Sequence, residues 1–302
     1  MLTLFLFALL STRMYNTKAL VMSKILAVDL DGTLFYPKKL TRCISKRNVK
    51  FIRNWIDAGN RLVLVTSRSH EFTNRLEKEI QRPYDVINCT SSMIFHNGEM
   101  IYETHMRNDQ ITKIVEEIQA KYKPKALLLT SKNHPCAIYD SGASNFLMKI
   151  SYRLWYAFQF KYREPMVMDN AIFQEELEHG DVYKIMTFFG FGKKKGTLSK
   201  EINKELRENF PEIESSWSMI VNELTPKDCN KGAGLERYCH LLNIRNEDLY
   251  VVGDSGNDIS MFMKFHEHSY CMMHAYPSVK KYARHVITRV YKLENLVLKG
   301  EK

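Results

Sequence analysis

The chain has 302 residues, 45% of them hydrophobic and 26% charged, and a formal net charge of +10. It exceeds one typical domain and has the make-up of an ordinary globular protein with a sizeable core, with no internal repeat or low-complexity tract. Six scattered cysteines (Cys43, Cys89, Cys136, Cys229, Cys239, Cys271) form no C-x-x-C pair and no metal-ligand spacing. They point to reduced thiols and a cytoplasmic setting.

The run Leu2 to Leu10 is apolar but too short for a membrane span, and no basic residue precedes it. Residues 1–21 read as an upstream extension outside the fold, with an export signal or a membrane-associating segment as the alternative, and no membrane partner is expected. Ile25, Leu26, Ala27 and Val28 follow as a short buried strand that ends in Asp29 and Asp31, with Gly32 next. Side chains two apart on a strand share a side, so both acids project from its carboxyl end, where open α/β sheets bind ligands. Two carboxylates so close repel unless neutralised, and a divalent cation held through oxygen is a common solution. The plainer reading is a polar turn, since Asp-Gly is a frequent turn dipeptide.

Ser45 caps a predicted helix in which Val49, Ile52 and Ile56 recur at helical spacing, and Gly59 stops it. Leu62 to Val65 form a second strand ending in Thr66, Ser67 and Arg68, and one helix is predicted from Ser69 to Pro83. A hydroxyl and backbone N–H groups at such a strand end suit a phosphate oxygen. The βαβα order predicts a parallel sheet covered on both faces.

Residues 103–221 change character. Strands are predicted at Ala126–Thr130, Cys136–Tyr139, Lys184–Phe189 and Ser216–Val221, with helices at Asp109–Tyr122 and Thr197–Asn209. This stretch reads as an α+β domain inserted between 22–102 and 222–302. Its aromatic run, Phe146 to Tyr162, reads as a packed helix face before it reads as a stacking surface. Alternation then resumes with a helix at Lys231 capped by Asn230, a strand at Tyr250–Val252, a helix through Ile259 and Met263, and a strand at Tyr270–Met273. The strand Tyr250–Val252 leads into Gly253, Asp254, Ser255, Gly256, Asn257 and Asp258. Taken singly, these segments are a helix cap, a surface lysine and a loop. Together they supply a nucleophile, a hydroxyl, an ammonium and a second acid pair, each at a strand end or helix start.

That ordered set resembles the haloacid dehalogenase-like superfamily, specifically its Cof-type subfamily IIB phosphatases: DLDGTL, VTSR, the lysine of NKGAGL, and GDSGND in order. FHNGEMIY and MMHAYPSVKKYA extend the likeness from about Met22 to near the C-terminus. Ser67 stands where glycine is common, and the tail RVYKLENLV lacks the usual glycine. The resemblance implies an α/β fold, a doubly wound Rossmann-like core with an inserted α+β cap that selects substrate. It implies a Mg²⁺-dependent phosphoric monoester hydrolase acting on a small phosphorylated metabolite: a sugar phosphate, nucleotide or cofactor phosphate. In that scheme Asp29 attacks phosphorus to form an aspartyl-phosphate, and Asp31 serves as acid and then base. Asp29, the Asp31 carbonyl and Asp254 hold the metal. Thr66, Ser67, Lys231 and Asn257 bind phosphate, and Asp258 orients Lys231 or a metal-bound water. Arg68 has no assigned role. A phosphomutase and a non-catalytic relative are the rival readings. The positive charge favours anionic partners, but the lysines form one small cluster, Lys193 to Lys195, so nucleic acid is not expected. Oligomeric state is not legible.

Overall fold

The computed structural model describes residues 23–140, 160–190, 193–218 and 221–298, so residues 1–21 lie outside the described residues. The chain enters at β1 (Ile25–Val28) and passes through the helix Lys46–Asp57 to β2 (Arg61–Val65). Ser45 caps that helix by accepting from the Asn48 N–H. Two short helices, His70–Asn74 and Glu77–Ile80, lead on to β3 (Asp85–Asn88). The single helix predicted here is therefore broken. Thr73 Oγ1 donates to the His70 carbonyl, and the Arg75 and Leu76 N–H groups reach only three residues back, which tightens the turn. The strands β4 (Met93–His96) and β5 (Glu99–Glu103) then form an antiparallel edge.

The next strands, β6 (Ala126–Ser131), β7 (Ala137–Asp140), β8 (Val182–Phe188), β9 (Ile213–Ser218) and β10 (Val221–Pro226), make a separate antiparallel sheet in the order β7-β6-β8-β10-β9. The strand predicted at Ser216–Val221 is a hairpin instead, with Val221 paired to Ser218. Met219 and Ile220, between the two strands, carry none of the Gly, Pro, Asn or Asp signals that would have marked a turn. One face of this sheet is packed by the helices Asn108–Tyr122, Asn170–His179 and Lys193–Asn209, through Ile114, Ile118, Leu127, Leu129, Phe173 and Ile185. Of the aromatic run, Phe146, Tyr152, Trp155, Tyr156 and Phe158 lie outside the described residues. Tyr162 is buried in the core of the other sheet, its ring edge-on to Phe35.

The chain returns through the helix Lys231–Leu241 to β11 (Leu249–Gly253), β12 (Ser269–Met272) and β13 (His285–Ile287). The large sheet has the order β13-β12-β11-β1-β2-β3-β4-β5, parallel from β13 to β3. Leu26 and Val28 face one apolar cluster with Phe51, Trp55 and Phe72, while Ile25 and Ala27 face another with Leu235, Met261 and Phe262. Burial on both faces explains why β1 reads as an unbroken apolar run. The early strands β2 and β3 lie on one side of β1, and the late strands β11 to β13 on the other. The strand order therefore reverses at β1, which is the switch point where such sheets leave a crevice.

Candidate active site

Asp29 is the first residue past β1, and its N–H donates to the Val252 carbonyl of β11. Val28 is in register with both Val252 and Leu64, so Asp254 and Thr66 follow at the carboxyl ends of the flanking strands. Three parallel strands thus deliver Asp29, Asp254 and Thr66 to one edge. The tight DLDGT turn allows this, since Gly32 adopts φ +83°, and a Cβ there would sit 2.2 Å from Asp254 Oδ2. Only glycine fits.

Lys231, capped into position by Asn230, extends its ammonium from the first turn of its helix. It donates to Asp29 Oδ1 and Asp258 Oδ1, each at 2.6 Å, with its side chain 1% exposed. Carboxylate oxygens of Asp29, Asp254 and Asp258 lie within 4.8 Å of one another. Asp258 has both oxygens engaged: Oδ1 by Lys231, and Oδ2 by the N–H groups of Asp254 and Ser255. Asp254 Oδ1 accepts from Thr33 Oγ1 at 3.3 Å, and Asp29 Oδ2 is buried with no partner.

Three carboxylates and one ammonium leave this pocket short of positive charge. Burial, aided by the charges of Asp258 and Asp254 and opposed by Lys231, raises the Asp29 carboxyl well above the usual carboxylate range. Burial and Asp258 push Asp254 up to about 7. Burial alone would discharge Lys231, but Asp258 and Asp29 outweigh it and raise its pKa. The orphaned Asp29 oxygen, the elevated acids and an all-oxygen donor set fit a hard divalent cation. Asp29 and Asp254, the latter touched by Thr33 and, at 3.4 Å, by His274 Nε2, have the side-chain capacity to hold one, whereas Asp258 is spent on Lys231 and its own loop.

Asp31 faces another way. Arg68 grips both its oxygens, through Nε and, at 2.7 Å, Nη2. Burial would raise the Asp31 carboxyl, but the charge and hydrogen bonds of Arg68 override that and hold it below the usual range. Arg68 also donates from Nη1 to the Tyr162 carbonyl at 2.9 Å and stacks over Phe72. Thr66 Oγ1 accepts from the Arg68 N–H at 3.2 Å. The Ser67 carbonyl accepts from Lys184 Nζ at 2.6 Å, and Asn257 Oδ1 accepts from Ser255 Oγ at 2.7 Å. Asp29, Lys231, Asp254 and Asp258 form one cluster, whereas Asp31, Ser67 and Arg68 line an adjoining hollow of about 320 Å³ roofed by Leu128, Lys184 and Met186.

Three contributors escaped the sequence reading. Thr33 lies inside DLDGTL, but only the fold shows its hydroxyl on Asp254. Arg68 was visible without its partner. Lys184 had one signal, a lone cation in the apolar strand VYKIMTF.

The chain matches the haloacid dehalogenase-like hydrolase family over residues 26–294. It is 25% identical over 260 residues to a 5-amino-6-(5-phospho-D-ribitylamino)uracil phosphatase of Bacillus subtilis, covering 79% of this chain and 84% of that protein. Among solved structures it resembles a haloacid dehalogenase-like hydrolase from Bacteroides thetaiotaomicron, with TM-score 0.68 and 22% identity over 91% of this chain and 99% of the other. A subclass IIB sugar phosphatase of the same superfamily gives TM-score 0.70 and 20% identity over 91% and 98%.

Proposed function

Because the chain belongs to the haloacid dehalogenase-like hydrolase family, we propose that it hydrolyses a small phosphomonoester through a phospho-enzyme on Asp29. The observation that carries this reading is the buried Lys231 bridge between Asp29 and Asp258, which leaves Asp29 Oδ2 unpartnered at a strand's carboxyl end. An Asp29 oxygen attacks phosphorus, a carboxylate–phosphorus bond forms, and the bond to the leaving alcohol breaks as Asp31 gives that oxygen a proton. Water then attacks the phosphorus, Asp31 takes its proton, and phosphate departs from a restored Asp29 carboxylate. Lys231 balances charge on the nucleophile and the phosphoryl oxygens, while Asp258 fixes the ammonium in place. Thr66, the Ser67 N–H and Asn257 take phosphoryl oxygens. A magnesium ion held by Asp29, Asp254 and the Asp31 carbonyl would offset the like charges of nucleophile and substrate. In the present arrangement Asp31 is an ionised partner of Arg68, so proton delivery requires that pair to open and Asp31 to take up a proton from solvent first.

The hollow beside Asp31 receives the leaving group. Residues 103–221, extended to Pro226 by β10, act as the cap that selects it, while 22–102 and the remainder of 222–302 form the core. Arg68 and Lys184 suit a polar substrate body, and Leu128 and Met186 suit an apolar part. Sugar phosphates, nucleotides and cofactor phosphates all meet that description, as does the ribitylaminouracil phosphate in the name of the Bacillus subtilis relative. All six cysteines are free thiols, the state a reducing cytoplasm maintains. No helix among the described residues is long and apolar enough to cross a membrane. A screen of phosphorylated metabolites, read as phosphate release with an Asp29→Asn control, tests the assignment. Turnover of at least one substrate by the native enzyme only is expected. Equal release by the variant would overturn it.

A further inference from the structure

Cations scattered through the sequence are gathered by the fold into one concave place. A cleft of about 870 Å³ runs between the helix Lys46–Asp57 and the segment carrying the helices His70–Asn74 and Glu77–Ile80, and none of the clustered acids lines it. Lys46, Lys50 and Arg53 come from one wall, at the four- and three-residue steps that share a helix face. Arg75, Lys78 and Arg82 come from the other, and Arg42 and Lys161 also line the cleft.

The two acids in this lining are already spent. Glu79 accepts from the N–H groups of Cys43 and Ile44 at 2.8 and 2.9 Å, and Asp57 pairs with Arg82 at 2.6 Å. Arg53 is turned onto the Ile80 and Glu79 carbonyls. Among the described residues, the ion pairs reach none of Lys46, Lys50 and Lys78. Solvated lysines on a convex helix need no partner. Here cations on two elements face one another across a cavity floored by Val49, Phe72 and Leu76, where apolar walls concentrate the field. Cations gathered on the walls of one cleft favour an anion between them.

The lining also defines the kind of anion. Among the described residues, Phe72 is its single aromatic, 1% exposed and covered by the guanidinium groups of Arg68 and Arg75. Among the described residues no ring in the lining is open for a base to stack on, which favours phosphate groups as what the cleft reads. We propose that this cleft binds a compact polyphosphorylated small molecule, at a site separate from the carboxylate cluster.

Calorimetric titration of the full chain with inorganic tripolyphosphate, without divalent metal, tests this. One binding event is expected, weakened by about tenfold or more in the variant K46E/K50E/K78E. That variant keeps native turnover of p-nitrophenyl phosphate with magnesium. Lys184→Met, at the hollow beside Asp31, leaves tripolyphosphate affinity unchanged. Should the triple variant fail to fold, Lys50→Gln and Lys78→Gln singly are each expected to weaken binding by about threefold at an unchanged melting temperature. Affinity indifferent to these lysines, or lost in Lys184→Met, would overturn the site. Equal affinity for orthophosphate, or tighter binding of a single-stranded oligonucleotide of matched charge, would overturn the ligand class.

Discussion

Replacing Lys231 by methionine keeps a long, unbranched side chain and removes the charge. Its ammonium is the shared partner of Asp29 and Asp258, and the three side chains are 1%, 6% and 0% exposed. Without it, two carboxylate oxygens face each other in a dry site that also holds Asp254. Breaking a buried pair by removing one member costs about 3–5 kcal/mol, because the remaining charge is stranded. At roughly 2–4 °C per kcal/mol for a protein of this size, the melting temperature should fall by about 6–20 °C. The pH dependence has a defined sign. With the ammonium gone, the folded-state carboxyl pKa rises further above its unfolded value of about 3.9. The stability this carries is present at low pH and lost as pH rises through the folded pKa, so the deficit should shrink from about pH 8 to about pH 5. Adding magnesium should recover part of the loss, since a cation then supplies the missing charge. Scanning calorimetry across pH and metal concentration reads all three effects. A melting temperature within about 2 °C of the native protein at neutral pH would mean that Lys231 does not offset the charges of Asp29 and Asp258.

Asp29→Asn should lower kcat by at least about a thousandfold while leaving the calorimetric transition cooperative, since an amide at this position is a poor nucleophile. Chelation of divalent metal should abolish phosphate release and magnesium should restore it; a rate indifferent to chelator would remove the metal from the scheme. Gly32→Ala forces a Cβ at φ +83° to within 2.2 Å of Asp254 Oδ2. It should cost about 1–3 kcal/mol by denaturant melt and weaken magnesium activation together, whereas a silent substitution would contradict the packing described for that turn.

The core was legible because its local signals agree with its burial. Ile25–Val28 reads as a buried strand and is one, since β1 is covered on both faces. Asp29, Lys231, Asp254 and Asp258 stood out because each ends an apolar run or opens a helix, positions that the sequence itself marks. What finally pairs with what was not legible. The grip of Arg68 on Asp31 joins two loops through space, and the approach of Lys184 to Ser67 joins two sheets. The hairpin Ile213–Pro226 was missed because its connection lacks turn residues, and the helix break near Arg75 because Thr73 bonds back to its own helix. Each is a local exception that tertiary packing sustains.

Covalent transfer of the phosphoryl group to Asp29 leaves its mark in the stereochemical course at phosphorus. With an isotopically chiral phosphomonoester, two successive in-line displacements, first by the Asp29 carboxylate and then by water, return phosphorus with net retention. Retention is the predicted result. Inversion would mean that water attacks the substrate directly, and would contradict Asp29 as the nucleophile.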